Sequence, residues 1–221
     1  MNSLNPWYTP DAPLLLARRS TWMALATLTL VALLIGHYFF EKWLFLPPCV
    51  QCVYIRFGLL LMTLVAMVGA IAPQKRWARV LAQCVYLVPL VYTIRAALVL
   101  VRIDLLKHFP SLTGIFGVPP CTLETHFPLD LLLASLSHHW FAAEAICGSE
   151  VSQVPVGAKL SVLQSVLIDQ ITRDGSWYLI PYFKLISLGD IMFVLTVGLL
   201  IAIAVSLYHE AARAFRREDY F

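Results

Sequence analysis

Two cysteine pairs carry the chemistry that this sequence most directly indicates. Cys49 and Cys52 form a Cys-Val-Gln-Cys motif, and Cys121 and Cys147 follow in a later segment. A Cys-x-x-Cys pair at the start of a helix closes a small, easily exchanged ring, and the positive end of the helix dipole favours its thiolate. Two prolines directly before Cys49 suit such a helix start. We therefore expect a thiol–disulfide centre at residues 49–52.

Arg56 is the charged residue that best fits this centre. It follows Cys52 by one helical turn, so a helix places both side chains on the same face. A guanidinium there stabilises a thiolate at Cys52. A charge inside a membrane segment is a functional hypothesis by default, and the position suits a lipid quinone that arrives laterally from the bilayer.

The composition requires elements that hold these residues in a membrane. Of 221 residues, 60% are hydrophobic and 13% are charged, and the mean hydropathy is +0.77, which excludes an ordinary soluble domain. Four apolar stretches, at about 21–40, 53–72, 80–101 and 186–207, have the roughly 20 residues that a helix needs to cross a bilayer. We predict an all-α membrane protein, one integral domain over 1–221 with four transmembrane helices. The net charge of +3 is too small and too dispersed to indicate a nucleic-acid partner.

The positive charges predict the orientation, because Lys and Arg are retained on the cytoplasmic side. Clusters of them lie in three short flanking segments, at 18–19, 75–79 and 213–217, so we expect 1–20, 73–79 and 208–221 to be cytoplasmic, with both termini inside and the first span as an uncleaved anchor. Segments 41–52 and 102–185 then lie outside, in an oxidising periplasm where disulfides persist. The fifth cysteine, Cys84, falls inside the third span, and we expect it to be a packing residue.

The outer segment 102–185 carries two candidate helices. Leu129 to Ala145 is amphipathic and predicts a helix that lies on the membrane, and Lys159 to Ile171 predicts a second, short helix. Aromatic residues between 177 and 183 are expected to return the chain to the membrane interface.

Each candidate residue also has a simpler interpretation. Either cysteine pair could be a structural staple, and the four outer cysteines could bind zinc, although the second pair lacks the usual spacing. Arg56 could extend its charge to the interface without a ligand. Loop histidines near position 138 are more often solvated than metal-bound, so we predict no metal site. Arg95 is expected to pair with Asp190, since both lie toward the outer ends of their spans.

The stretch Pro48-Cys49-Val50-Gln51-Cys52-Val53-Tyr54-Ile55-Arg56 resembles the DsbB family of disulfide bond formation proteins, which are four-helix inner-membrane thiol oxidases. The resemblance extends to the four spans and to the second cysteine pair in the outer loop. About forty residues between Cys147 and the last span favour the DsbI branch, whose soluble partner is DsbL.

The resemblance implies an electron path. Cys121 would accept attack by a reduced periplasmic thioredoxin-fold partner of the DsbL or DsbA type, with Cys147 as its companion. Cys49 would exchange with this loop pair, and Cys52, beside Arg56, would engage ubiquinone or menaquinone. The sequence has Ile55 where the best-known member has an acid, which predicts a more positive field at Arg56. The alternative function is a membrane anchor or assembly factor whose disulfides are purely structural.

Overall fold

A computed structural model of the chain describes residues 15–117, 121, 125–127, 138–148 and 151–218. Within these ranges the elements are α1 (Arg19–Leu34), which continues as a π-helical segment (Ile35–Trp43), α2 (Val50–Gly69), α3 (Arg76–His108), α4 (Thr113–Phe116), α5 (His138–Phe141), α6 (Val162–Asp174), β1 (Tyr178–Ile180), β2 (Leu185–Ser187) and α7 (Leu188–Glu218). Short 3₁₀ turns occur at Leu15–Ala17, Pro110–Leu112 and Pro181–Phe183.

In the part of the chain that the structure describes, four helices are long and apolar enough to cross a membrane: Arg19–Trp43, Val50–Gly69, Arg76–His108 and Leu188–Arg213. The predicted all-α membrane bundle is therefore confirmed. The second helix begins at Val50, three residues before the predicted span, so Cys52 lies inside its first turn. The third continues seven residues past its predicted end at 101.

The long helices pack in the order α1, α2, α3, α7. Two close approaches of α2 depend on glycine. A Cβ on Gly58 would overlap Thr93 Oγ1 in α3, and one on Gly69 would lie 2.7 Å from the Trp22 ring in α1. The absence of a side chain at these positions lets α2 pack closely against both of its neighbours.

A buried ion pair joins α3 to α7 at the end of the bundle opposite Cys49. The Arg79 guanidinium contacts the Glu210 carboxylate through Nε and Nη2, and its Nη1 donates to the Pro73 carbonyl at 2.8 Å. Arg76 Nη2 also donates to the Glu210 carbonyl at 3.1 Å. This clamp fixes the turn between α2 and α3 against the last helix.

The outer segment folds back onto the bundle. The predicted helix at 159–171 exists as α6, but it begins at Val162, because Ser161 and Gln164 form a capping box that sets its start. The Gln164 amide donates to the Trp43 carbonyl at 2.6 Å, which ties α6 to the end of the π-helical segment. Of the predicted membrane-lying helix at 129–145, residues 129–137 lie outside the described residues, and 138–141 form the single turn α5.

Two predictions about the spans are wrong. Arg95 does not pair with Asp190: its side chain is exposed, and Asp190 Oδ2 instead accepts hydrogen bonds from the Ser187 backbone and hydroxyl, each at 2.8 Å. Cys84 is exposed on the outside of α3 and does not pack within the bundle. Both residues belong to α3, and in both cases the rotation of this helix about its axis directs the side chain out of the bundle.

Candidate redox site

The first cysteine pair lies at the start of α2. Cys49 is the N-cap residue, and its sulfur accepts a hydrogen bond from the Cys52 backbone N–H at 3.3 Å. The two Sγ atoms are 2.7 Å apart, so a small torsional change closes a disulfide of about 2.05 Å. Cys49 is buried and Cys52 is half-buried. The N-terminus of a twenty-residue helix therefore acts on both sulfurs and favours a thiolate.

The second pair is joined in a disulfide. Cys121 and Cys147 are bonded, with their Cα atoms 5.8 Å apart, and the Cys147 backbone N–H donates to the Cys121 sulfur at 3.2 Å. Both residues are half-buried. A disulfide that is partly accessible can be attacked by a thiolate from outside, whereas a fully buried one is protected.

The backbone brings the two pairs to the same end of the bundle. Cys49 and Ala145 form a parallel bridge, in which the Ala145 N–H donates to the Pro48 carbonyl at 3.2 Å. Cys147 follows Ala145 by two residues and packs against the buried cluster that contains Cys49. The segment with the loop disulfide is thereby fastened beside the Cys-x-x-Cys motif.

Tyr54 makes a second contact between the outer loop and α2. Its hydroxyl accepts a hydrogen bond from the His126 backbone N–H at 2.9 Å. The next residue, Phe127, is buried against Phe57 of α2 and Phe141 of α5. Tyr54 is two residues past Cys52. Residues 126–127, which lie between the two loop cysteines in the sequence, are therefore held near the start of α2. The sequence analysis recognised this tyrosine only as part of a family motif and did not predict the contact.

Arg56 is buried, with 6% of its surface exposed. Its Nη1 lies 2.7 Å from Glu41 Oε2, and the same carboxylate oxygen lies 2.8 Å from His37 Nδ1. The His37 ring stacks on Trp140 with a centroid distance of 4.0 Å. The predicted excess of positive field at Arg56 is therefore wrong, because the carboxylate that is missing at position 55 comes instead from Glu41.

Glu41 and His37 were missed as functional candidates. Their spacing of four positions near the end of an apolar span was the available signal, because it places both side chains on one helical face.

An apolar cavity of about 450 Å³ adjoins the first cysteine pair. It lies between α1 and α7, with α2 as its third wall. The residues that matter for the site are, from α1 and its continuation, Leu28, Val31, Gly36 and Phe40; from α2 and its N-cap, Cys49, Cys52, Ile55 and Arg56; and from α7, Leu188, Ile191, Met192 and Leu195. The cavity therefore joins both sulfurs of the motif to Arg56 within an otherwise apolar wall.

The donor set of this cavity fits a quinone. Arg56 Nη1 lies 2.7 Å from Glu41 Oε2, but its N–H groups are not aligned on that oxygen, so among the described residues it makes an ion pair without a well-directed hydrogen bond. A hydrogen bond to a charged group contributes about 1.5–3 kcal/mol, so a second acceptor at Nη1 would be stabilising. A quinone has an apolar ring and tail with carbonyl acceptors, so its carbonyl can satisfy Arg56 while the apolar wall holds the rest.

Comparisons with known proteins agree with these observations. The family model described as "Disulfide bond formation protein DsbB" matches residues 18–168. The chain is 28% identical over 173 residues to the protein-disulfide oxidoreductase DsbI of Escherichia coli O1:K1 / APEC, covering 78% of each chain. It is 27% identical to the DsbI of Salmonella typhimurium over 78% of this chain and 77% of the relative. A relative from Campylobacter fetus, also named DsbI, is 28% identical over 80% of each chain.

Proposed function

The chain belongs to the DsbB family and is a disulfide oxidoreductase of the bacterial inner membrane, and from that premise we propose that it oxidises a periplasmic thioredoxin-fold dithiol protein and passes the electrons to a membrane quinone. The observation that carries the proposal is the apolar cavity, in which Cys49 and Cys52 lie beside buried Arg56, whose Nη1 has no aligned hydrogen bond among the described residues. A purely structural disulfide requires neither the cavity nor the buried charge.

The partner reacts first with the loop pair. Its thiolate attacks the Cys121 sulfur, breaks the Cys121–Cys147 bond and leaves Cys147 as a thiolate. The partner's second thiol then attacks the mixed disulfide and departs oxidised, so that both loop cysteines are reduced. The partner is of the DsbL or DsbA type, which agrees with the DsbI relatives.

The loop pair then reduces the motif. A loop thiolate attacks Cys49, the Cys49–Cys52 disulfide breaks, and Cys52 leaves as a thiolate. The other loop cysteine then attacks the mixed disulfide between the loop and Cys49, which restores the Cys121–Cys147 bond and releases Cys49 in its reduced form. The bridge between Cys49 and Ala145 supports this step, because it fastens the loop pair beside the sulfur that is attacked. The helix N-terminus and Arg56 stabilise the departing thiolate, and a stabilised leaving thiol departs faster.

Arg56 and the cavity wall prepare the last transfer. Ubiquinone or menaquinone, when bound, supplies a sink for two electrons and two protons. Arg56 would donate a hydrogen bond to one of its carbonyl oxygens in the cavity that Cys52 also lines. The apolar residues of α1 and α7 exclude water, which strengthens the electrostatic interaction between Arg56 and Cys52.

The orientation follows the positive residues. We place both termini and segments 1–20, 73–79 and 208–221 in the cytoplasm, and segments 41–52 and 102–185 in the periplasm. Both cysteine pairs then face the compartment in which disulfides persist.

An anaerobic assay tests the proposal. Purified protein in detergent is mixed with a reduced thioredoxin-fold dithiol protein and a soluble ubiquinone analogue, and quinone loss is followed by ultraviolet absorbance. We expect catalytic turnover that Cys52→Ala abolishes. Arg56→Gln should raise the quinone KM about tenfold or more, because a hydrogen bond to a charged group contributes about 1.5–3 kcal/mol.

Arg95→Gln is the matched control, because Arg95 is also a span arginine but is exposed and lies away from the cavity. It should leave the quinone KM unchanged. If no dithiol donor supported quinone reduction by the unsubstituted protein, the membrane anchor with structural disulfides would be the better interpretation.

A further inference from the structure

A second, more polar cavity lies on the outer side of the redox site. It has a volume of about 270 Å³, and its polar lining residues are Glu41, Lys42, Glu144 and Gln153. Leu46 and Pro47 line both this cavity and the apolar one, so the two spaces share a wall. The polar cavity therefore brings an aqueous environment close to a site that otherwise excludes water.

Glu41 stands at the boundary between the two cavities. It lines the polar cavity, while its Oε2 reaches Arg56 Nη1 at 2.7 Å and His37 Nδ1 at 2.8 Å. Arg56 lines the apolar cavity. The Glu41 side chain is 11% exposed, so most of it is shielded from solvent. The part that lines the polar cavity is accessible. Among the described residues, Glu41 thus lines the polar cavity itself and contacts Arg56, which lines the apolar cavity.

Proton balance gives this position a role. When the Cys49–Cys52 dithiol becomes a disulfide it gives up two electrons and two protons, and a quinone that becomes a quinol takes up two of each. A thiolate at Cys52 has already lost its proton to the outer solvent. At least one proton must then return to the apolar cavity by another route.

We propose that Glu41 is the proton-transfer residue that supplies the quinone cavity from the periplasmic side, an inference that rests on the proposed function. Glu41 takes a proton from solvent in the polar cavity. Arg56 Nη1 contacts Glu41 and would also contact a bound quinone oxygen, so the protonated carboxyl would stand next to the place where the proton is used. His37, stacked on Trp140, holds the carboxyl in position through Nδ1.

The charges around Glu41 agree with this role. Among the described residues, the charged or titratable side chains in contact with Glu41 are His37 and Arg56, and Lys42 and Glu144 line the polar cavity with it. Cys49 and Cys52 line the apolar cavity together with Arg56. The positive charge of Arg56 therefore lies between Glu41 and the apolar cavity. Each cycle returns Glu41 to its ionised form, and no further oxidant or reductant is needed.

The first test is a single-turnover measurement with Glu41→Gln. The protein is reduced, freed of reductant under anaerobic conditions and mixed with a saturating soluble ubiquinone analogue. We expect the rate of quinone loss to fall roughly 100-fold, within the range typical of a lost acid–base group, while the quinone KM changes less than about threefold. Formate or acetate should restore the rate in proportion to its concentration, because a small weak acid fits the polar cavity.

Glu144→Gln is the matched control, since it changes a carboxyl of the same cavity that has no contact with Arg56 or His37. It should react at the rate of the unsubstituted protein. If Glu41→Gln instead raised KM and kept the saturated rate, Glu41 would only orient Arg56, and the proton route would be wrong. A rate loss without rescue by weak acids would also overturn it.

The second test needs no quinone. Infrared difference spectra of quinone-free protein, recorded during acidification, should contain a carboxyl C=O band that shifts in D₂O and is missing in Glu41→Gln but kept in Glu144→Gln. A band that does not exchange would show that solvent cannot reach Glu41, and would overturn the route even if quinone reduction is normal. If the unsubstituted protein reduced no quinone at all, the proposed function itself would fail.

Discussion

Among the described residues, the bundle contains two buried arginine–glutamate pairs, one at each end, and they differ in how completely they are hydrogen-bonded. At the end where α2 meets α3, Arg79 makes contacts through all three guanidinium nitrogens, and Glu210 receives a second arginine at its carbonyl. At the cysteine end, Arg56 Nη1 is close to Glu41 but has no aligned hydrogen bond among the described residues.

The surroundings of the two pairs differ in the same way. The Glu210 side chain is 5% exposed and the Glu41 side chain is 11% exposed. Arg56 and Glu41 each line a cavity, whereas neither Arg79 nor Glu210 lines either of the two cavities described above. A complete pair in packed surroundings stabilises the fold, and an incomplete pair at a cavity leaves a donor for a ligand. The same two residue types therefore serve structure at one end and, in our proposal, chemistry at the other.

The largest effect is expected from Glu210→Gln. Removing the carboxylate leaves Arg79 buried without a counter-charge, which costs about 3–5 kcal/mol in the free energy of unfolding. Thermal and denaturant unfolding in detergent would measure it. Quinone KM in the remaining folded protein should not change, because the clamp lies at the opposite end from the cysteines. A shift in KM without a loss of stability would remove the distinction between the two pairs.

Arg56→Lys is expected to have a smaller effect. It should weaken quinone binding more than it lowers the free energy of unfolding. Lysine keeps a positive charge near Glu41 but lacks the planar fork that can face a carboxylate and a second oxygen together. We expect the quinone KM to rise about tenfold, which corresponds to about 1.4 kcal/mol. The loss in unfolding free energy should be smaller than that of Glu210→Gln, because Glu41 adjoins the polar cavity. Equal stability losses at the two ends would contradict the comparison.

The sequence predicted the parts of this arrangement that depend on local spacing. The four spans follow from apolar length, and the shared face of Cys52 and Arg56 follows from a separation of one helical turn. The orientation of each helix does not follow, because lipid-facing residues are as apolar as those in the bundle core. Cys84 was accordingly assigned to the wrong face, and Arg95 to a partner that it does not meet.

The long-range contacts of the site were also inaccessible from spacing. The Glu41–Arg56 pair depends on how the π-helical end of the first span packs against α2, and the Cys49–Ala145 bridge depends on the path of the outer loop. Neither is encoded in a periodic pattern. The sequence could show that Arg56 is a buried-charge candidate, but only the fold shows which carboxylate accompanies it.

Tyr54→Phe tests the contact that holds the loop near the Cys-x-x-Cys motif, at the same end of the molecule. It removes the hydroxyl that accepts from the His126 N–H and keeps the aromatic packing. A neutral hydrogen bond contributes about 0.5–1.5 kcal/mol, so exchange between the loop pair and the motif should slow about two- to tenfold. Rapid acid quenching and thiol alkylation would follow the redox state of each pair. Single-turnover quinone reduction by the pre-reduced motif should be unchanged, and a slower rate there would mean that Tyr54 acts on the quinone site instead.

The smallest effect is expected from a third arginine–acid pair, which lies in the outer segment. Arg173 Nη2 is 2.8 Å from Asp169 Oδ2 along α6, a distance like that of the Glu41–Arg56 pair, but the two side chains are 75% and 72% exposed. Water screens their attraction, so Asp169→Asn should change the free energy of unfolding by no more than about 0.5 kcal/mol. The same unfolding measurements would detect a larger change. If Asp169→Asn destabilised the protein as much as Glu210→Gln, then burial would not determine what these ion pairs contribute, and the functional interpretation of the incomplete pair at Arg56 would lose its physical basis.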